Sequence, residues 1–348
     1  MSEGAHQPLS EGIPVLGYGL GPIGLGVAAL LAGRDGVTLV GAVDIDPDKI
    51  GTDLGLLHGG GKNGVRVTSE VPAAPPGGVA VHATGSGLVD VAPQLEELLD
   101  RGWNVVSTCE QLVHPWSVDA QVALRLDALA HDRERSVLGS GINPGYLMDT
   151  LVLMLTGACT AVRGVHVTRV VDTNARRIPL QVKAGVGLTR EEFVRRARHG
   201  RLGHVGLRQS AHVVADRLGW RLDGYEERIE PVVAGEPTAT GLGVIAPGDV
   251  IGQRQRVVAT SGGRDVIQYD LEMSAGAEAT DVIEIDGEPA VHQRIVGGVN
   301  GDVGTVAVIG NLVPVVADAR PGLLTMADVV RMAAAVGLIA PPEAVAAR

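Results

Sequence analysis

Apolar residues recur along this chain in two rhythms, and the rhythm changes near residue 160. In the earlier stretch, short continuous apolar runs alternate with segments whose apolar positions fall at helical spacing. Ile13, Val15 and Leu16 begin a strand, an apolar helical stretch runs to Leu31, and Val37 to Val43 reads as the next strand. Val79 to Ala83 and Trp103 to Val106 are further strands, with an amphipathic helix from Val89 to Arg101 between them. Pro115 to Asp132 reads as one helix, with Pro at an early position and Val118, Val122, Leu126 and Leu129 at helical spacing; Ser136 to Leu138 returns as a strand. This alternation predicts a doubly wound parallel sheet whose ligand lies beyond the carboxyl ends of the strands.

Beyond residue 160 the strands lengthen: Val162 to Asp172, Arg221 to Val233, Val250 to Thr260, Val266 to Met273 and Val282 to Ile285. Turns such as Gly262-Gly263 and Asp286-Gly287 separate them, and helices are expected over Thr189 to His199 and Val205 to Leu218. The pattern is that of a second, α+β domain with a mainly antiparallel sheet. From Gly301 the spacing turns helical again through Val303, Ala307, Val308, Leu312 and Val315, and a last helix is expected from Thr325 to Val336 after Pro321-Gly322.

Composition narrows the class. With 348 residues, two domains are the better expectation. Aromatics make up only 2% of the chain, so the packing rests on aliphatic residues. A net charge of −11 argues against nucleic-acid binding, which phosphate contacts dominate. Cys109 and Cys159 have no C-x-x-C spacing, which points to a reducing compartment and a cytoplasmic protein. None of the ten histidines shows ligand spacing, so no metal site is expected, and His199, His204 and His212 read as surface or interface residues. The apolar run from Leu151 to Val162 falls far short of the roughly 20 residues of a membrane span. The polar, acidic start of the chain has no apolar signal region. Arginines cluster between Arg190 and Arg208 among acidic neighbours, which reads as a solvated helix face with an anion or subunit contact as the alternative.

The most specific local motif is Gly19-Leu20-Gly21-Pro22-Ile23-Gly24. It follows a strand, opens a helix, and is answered by Asp44 at the end of the next strand, the context a dinucleotide fingerprint requires. The expected cofactor, NAD(H) or NADP(H), therefore meets these six residues and Asp44, together with the strand-end residues Thr84, Gly85, Ser107, Thr108 and Cys109, and Asn143 beyond the last strand. The expected organisation is a disordered tail over residues 1–12, a Rossmann-type dinucleotide-binding domain over 13–150, a substrate domain over 151–300, and helices over 301–348 that pack back on the first domain.

A nicotinamide cofactor carries the difficult step, so the protein need only place a substrate and manage protons. Glu110, immediately after the Trp103 to Val106 strand, is the catalytic candidate. A carboxylate there can hold an ammonium or take a proton, or it can simply complement the dipole of the helix expected from Pro115. Cys109 beside it would need a base such as His114 to act as a nucleophile, and packing is the plainer role. The segment Gly139 to Asp149 reads as a turn into a helix, with Asn143 able to bind a carboxamide.

Taken together, the glycine loop, Gly41-Ala42-Val43-Asp44-Ile45-Asp46-Pro47, Ser107-Thr108-Cys109-Glu110, Asn143-Pro144-Gly145-Tyr146-Leu147-Met148-Asp149, Gly203-His204-Val205-Gly206-Leu207 and Pro321-Gly322-Leu323-Leu324-Thr325-Met326 resemble the 2,4-diaminopentanoate dehydrogenase family and its relatives, the native amine dehydrogenases. Dihydrodipicolinate reductases and diaminopimelate dehydrogenases belong to the wider superfamily. The resemblance implies reversible NAD(P)-linked conversion of a ketone or aldehyde plus ammonia to a primary amine, in a homodimer formed largely through the second domain. Glu110 matches the family's catalytic glutamate, implied to bind ammonia and assist proton transfer. Ile142 and Leu147 stand where relatives can carry bulky aromatics, which implies a roomier apolar pocket with Tyr146, Val170 and Val182. Arg169, Arg176, Arg177 and Lys183 are candidates for a substrate carboxylate. Reduction of a preformed cyclic imine, or cofactor sensing without turnover, are the competing readings.

Overall fold

A computed structural model of the chain describes residues 12–329. The tail expected before Gly12 and the continuation of the last helix beyond Val329 lie outside the described residues. Backbone contacts divide these residues into two units, 12–142 with 302–329, and 143–301.

The first unit runs β1 (Ile13–Tyr18), α1 (Pro22–Ala32), β2 (Val37–Val43), α2 (Leu54–Leu57), β3 (Val67–Thr68), β4 (Val79–His82), α3 (Leu88–Asp100), β5 (Asn104–Ser107), α4 (Ala120–Asp132) and β6 (Ser136–Gly139). Every pairing in its sheet is parallel. β4, β5 and β6 are buried along their whole length, which is why they read as short unbroken apolar runs rather than alternating ones. α3 presents Leu88, Val91, Ala92, Leu95, Leu98 and Leu99 on one face, and these join Leu16, Trp103, Val105 and Leu126 in the main core.

One expected helix breaks. Glu110–Val113 and Pro115–Ser117 form two separate 3-10 turns, and α4 starts only at Ala120. Asp119 sets that start, because its carboxylate accepts the N–H groups of Gln121 and Val122 at 2.9 and 3.0 Å. Glu110 therefore does not cap α4.

The second unit contains α5 (Thr150–Thr156), β7 (Ala161–Asp172), α6 (Ile178–Lys183), α7 (Arg190–Arg198), α8 (Leu207–Leu218), β8 (Gly224–Val233), β9 (Thr238–Thr240), β10 (Gly243–Ile245), β11 (Val250–Ser261), β12 (Arg264–Ser274), β13 (Thr280–Glu288) and β14 (Val291–Val296). Six strands make a sheet in the order β14-β13-β7-β12-β11-β8. All its pairings are antiparallel except β12 with β7. Burial alternates along β7 and β13, leaving one face of the sheet polar.

α9 (Gly301–Ala317) then leads back into the first unit. Gly322–Leu324, expected only as a turn before a helix, is β15, a seventh strand that pairs with β6. The first sheet thus has the order β15-β6-β5-β4-β1-β2-β3, reversing direction outward from β1 and β4 as a doubly wound sheet does. α10 (Met326–Val329) follows.

Candidate active site

In the first unit the carboxyl ends of β1, β2, β4 and β5 bring the expected cofactor residues together. Gly19 has φ 84°, and a Cβ there would meet the Ala83 carbonyl oxygen at 2.6 Å. Gly24 is more constrained: its Cβ would lie 1.9 Å from the Gly19 carbonyl oxygen. Gly21, at the N-terminus of α1, differs from both. Nothing lies within 4 Å of where its Cβ would be, so no packing contact among the described residues demands glycine there.

Asp44 closes this end of the site. Its carboxylate accepts the Leu20 N–H at 2.7 Å and the Asp46 N–H at 2.9 Å, and pairs with the Lys49 ammonium at 3.1 Å. Burial alone raises the Asp44 pKa, but the N–H groups of Asp46 and Leu20 and the Lys49 charge outweigh it and hold the carboxyl below its usual range. Asp44 is thus an anion fixed to the glycine loop itself. Lys49 also reaches Asp46 at 3.4 Å.

Glu110 begins its 3-10 turn half-buried. A network that sequence reasoning missed supports the strand end before it. His82, the last residue of β4, is completely buried, stacks against Tyr18, and places Nδ1 2.8 Å from the Ser107 hydroxyl and Nε2 2.8 Å from Gln94 Oε1. With Gln94 Oε1 as acceptor, Nε2 carries the proton and Nδ1 accepts from Ser107, whose oxygen receives the Cys109 N–H at 3.1 Å. The Thr84 hydroxyl donates to the same Gln94 oxygen at 2.6 Å. Burial lowers the His82 pKa to about 4, against the opposing pull of Gln94, so the ring is neutral. The only sequence signal was a histidine closing the apolar strand Val79-Ala80-Val81.

Two expected cofactor contacts therefore have inward roles. The side chain of Ser107 is buried and bonded to His82, and Cys109 is buried with its thiol donating to the Ser86 carbonyl at 3.1 Å. Burial pushes the Cys109 thiol up to about 12, which keeps it protonated and matches a packing role. Thr84, Gly85 and Thr108 retain surface exposure. Ile142, beyond β6, is buried.

In the second unit the Asn143 to Asp149 turn is tightly specified. The buried Asp149 carboxylate accepts the Gly145 N–H at 2.7 Å and the Ser210 hydroxyl at 2.6 Å, and the Tyr269 hydroxyl donates to the Met148 carbonyl at 2.7 Å. Asn143 is buried, and its Oδ1 has no hydrogen-bond partner among the described residues, leaving an acceptor suited to an N–H of a carboxamide or amine. His204, expected at a surface or interface, is half-buried. Its Nε2 donates to the Asn143 carbonyl at 2.8 Å, and burial lowers its pKa to about 4, with Lys183, Arg169 and Arg176 adding to the effect against the Asn143 hydrogen bond. Of the expected pocket residues here, Leu147 is buried, Tyr146 and Val170 are half-buried, and Val182 is exposed. Arg169 is already committed: it pairs with the equally buried Asp281 at 2.9 Å and donates to the Val299 carbonyl.

In the first unit the residues fit the pyrophosphate and ribose of a dinucleotide, with a glycine facing open space at a helix N-terminus and an oriented carboxylate; in the second unit Asn143 has an unpaired amide acceptor among the described residues. Comparisons with known proteins agree. Residues 146–341 match the family model described as the 2,4-diaminopentanoate dehydrogenase C-terminal domain. The chain is 30% identical over 331 residues to the 2,4-diaminopentanoate dehydrogenase of Acetoanaerobium sticklandii, covering 91% of this chain and 93% of that protein. Among solved structures, the amine dehydrogenase from Mycobacterium smegmatis superposes with a TM-score of 0.79 at 26% identity, covering 93% of this chain and 96% of that one. GenD2 from gentamicin A biosynthesis, solved with NAD, shares the fold at 18% identity with a TM-score of 0.55, over 95% and 93% of the two chains. No described helix is long and apolar enough to cross a membrane.

Proposed function

The chain belongs to the 2,4-diaminopentanoate dehydrogenase family, and from that premise we propose that it catalyses reversible reductive amination of a ketone or aldehyde with ammonia. It is an NAD(P)-dependent oxidoreductase acting on amines. The finer reading assigns Glu110 as the catalytic residue; the single observation that carries it is a half-buried carboxylate at the carboxyl end of β5, on a turn anchored from below by His82.

When bound, the nicotinamide supplies the hydride in amination and accepts it in the reverse direction. The protein's part is binding and proton management. The α1 N-terminus and Gly21 receive the pyrophosphate, Asp44 holds the adenosine ribose, and the Asn143 amide is free to bind the carboxamide or amine. Glu110 holds ammonia as ammonium, takes a proton as nitrogen adds to the carbonyl, and returns it as the carbinolamine loses water to give an iminium. The aliphatic Ile142 and Leu147 admit bulkier apolar substituents than aromatic residues would. Asp44 disfavours a 2′-phosphate, whereas Lys49 beside it offers one a cation, so both NAD(H) and NADP(H) are included in the reading. A cytoplasmic homodimer completes it, and the mass of the native protein in solution tests that assembly.

The decisive assay measures carbonyl- and ammonia-dependent oxidation of NADH and NADPH over a carbonyl panel, with wild type and Glu110→Ala. Turnover should require ammonia, and the substitution should reduce kcat by about 10²–10⁴-fold while cofactor affinity is retained. Ammonia-independent turnover would instead favour an imine reductase, and full activity of Glu110→Ala would remove the assigned mechanism.

A further inference from the structure

The arginine-rich stretch between Arg190 and Arg208 divides into two sets. Arg195 and Arg196 both pair with Glu192 one turn earlier, and form the solvated helix face expected from sequence. Arg198, Arg201 and Arg208 do something else. With Lys183 they line one cavity of about 740 Å³ that lies wholly within the second unit. No carboxylate is within ion-pairing distance of any of these four side chains among the described residues. The single carboxylate of the cavity wall, Glu227, accepts a hydrogen bond from the Gln255 amide. Four unpaired cations facing one concavity is an unusual arrangement in a chain of net charge −11, and a concave wall concentrates the field they make.

The rest of the wall has the same sense. The Tyr225 hydroxyl is buried without a hydrogen-bond partner among the described residues, and the Arg208 guanidinium lies over the Tyr225 ring, 5.0 Å from its centroid. Burial, reinforced by Glu227, raises the Tyr225 pKa, so the hydroxyl keeps its proton and remains a donor. The loop between α7 and α8 holds this shape through Gly200, Gly203 and Gly206, all at positive φ; a Cβ at Gly203 would meet Ile229 at 2.6 Å and one at Gly206 would meet Pro144 at 2.3 Å. Surface arginines are ordinarily satisfied by water, but here they converge with a buried, unused donor on a volume that would hold a small molecule. We propose that this cavity is a binding site for an anionic small molecule, whose carboxylate or phosphate oxygens are received by Arg201, Arg208 and Lys183.

Two sources of such oxygens are the acid group of an amino-acid-like substrate and a separate phosphorylated or carboxylated ligand. Calorimetric titration of the full chain with inorganic phosphate and with succinate, at low ionic strength and against sodium chloride of matched ionic strength, tests the site without depending on turnover. Saturable binding of at least one anion is expected, weakened tenfold or more in Arg201→Gln/Arg208→Gln. Because Arg208 also packs on Tyr225, Arg201→Gln alone serves as a second variant, and it should weaken binding without changing the melting temperature. Absence of saturable binding beyond the chloride control, or unchanged affinity in both variants, overturns the proposal. The source is read from a further arm that rests on the amine dehydrogenase reading. If the anion is the substrate's own acid group, KM rises in the variants for a carboxylate-bearing amine and stays fixed for a neutral one. If the ligand is separate, both KM values stay fixed while phosphate or succinate binding is lost.

Discussion

His82 shows how much a single side chain can organise. Its ring connects Tyr18 on β1, Gln94 on α3 and Ser107 on β5, and it is neutral because no water reaches it. His82→Ala would remove the acceptor of the Ser107 hydroxyl, leave Gln94 Oε1 with the Thr84 hydroxyl alone, and open a void, at a cost of about 2–4 kcal/mol. Urea unfolding should show that loss. The same change should lower kcat for amination more than it raises the KM of the cofactor, since Ser107 fixes the start of the turn that carries Glu110. Equal effects on the two parameters would mean that His82 serves stability alone. Glycine provides the opposite case: Gly19 and Gly24 were legible from spacing because the steric demand they meet is local, whereas Gln94 and Ser107, which bond to His82, are 12 and 25 residues away in sequence and Tyr18 is farther still.

Among the elements, length and periodicity decided what could be read. α3 and the long strands of the second unit announce themselves through repeated apolar positions. β15 has three residues and no period of its own; it exists because β6 offers an open edge and because Asp127 accepts the Leu323 N–H at 2.8 Å. The expected Pro115 helix failed for a related reason. Apolar spacing continued smoothly through residues 115–132, but Asp119 offered the first turn of α4 two hydrogen bonds that no earlier residue supplies. Asp119→Ala should therefore destabilise the protein by about 1 kcal/mol, measurable by urea denaturation, with Glu110 and its turn unaffected. A fall in amination activity without a fall in stability would show that the two segments are not independent.

For the molecule as a whole, His82 and His204 make stability fall toward mildly acidic pH, while burial that raises the carboxyls of Asp149 and Asp281 works the other way. His82 in the first unit and His204 in the second both have folded pKa values near 4, against 6.5 for the free side chain. Between those limits the unfolded histidines bind protons that the folded ones refuse, so their contribution to stability is complete above about pH 6.5 and is lost as the pH drops toward 4. For the fully buried His82 the limiting loss is about 3 kcal/mol. Unfolding midpoints in urea at pH 7 and pH 5 should differ accordingly, and His82→Gln should reduce the difference. The same pH dependence in wild type and His82→Gln would mean that the His82 ring is not held neutral.

The sequence by itself determined the class of fold and marked out the glycine loop and Asp44 as the proposed cofactor end of the site. Apolar period, glycine spacing and the strand-end Asp44 are local properties, and each encodes its own steric or hydrogen-bonding requirement. It also singled out Glu110, through its place after a strand and its family motif. Tertiary structure decided what those local signals cannot carry. It buried Ser107 and Cys109 as supports, committed Arg169 to Asp281, and sorted one run of arginines into a helix face paired with Glu192 and a set that converges on a cavity. These outcomes depend on which distant groups share a low-dielectric space, where an unpaired charge or donor is costly and a paired one is already spent. A linear chain lists such groups without stating which of them meet.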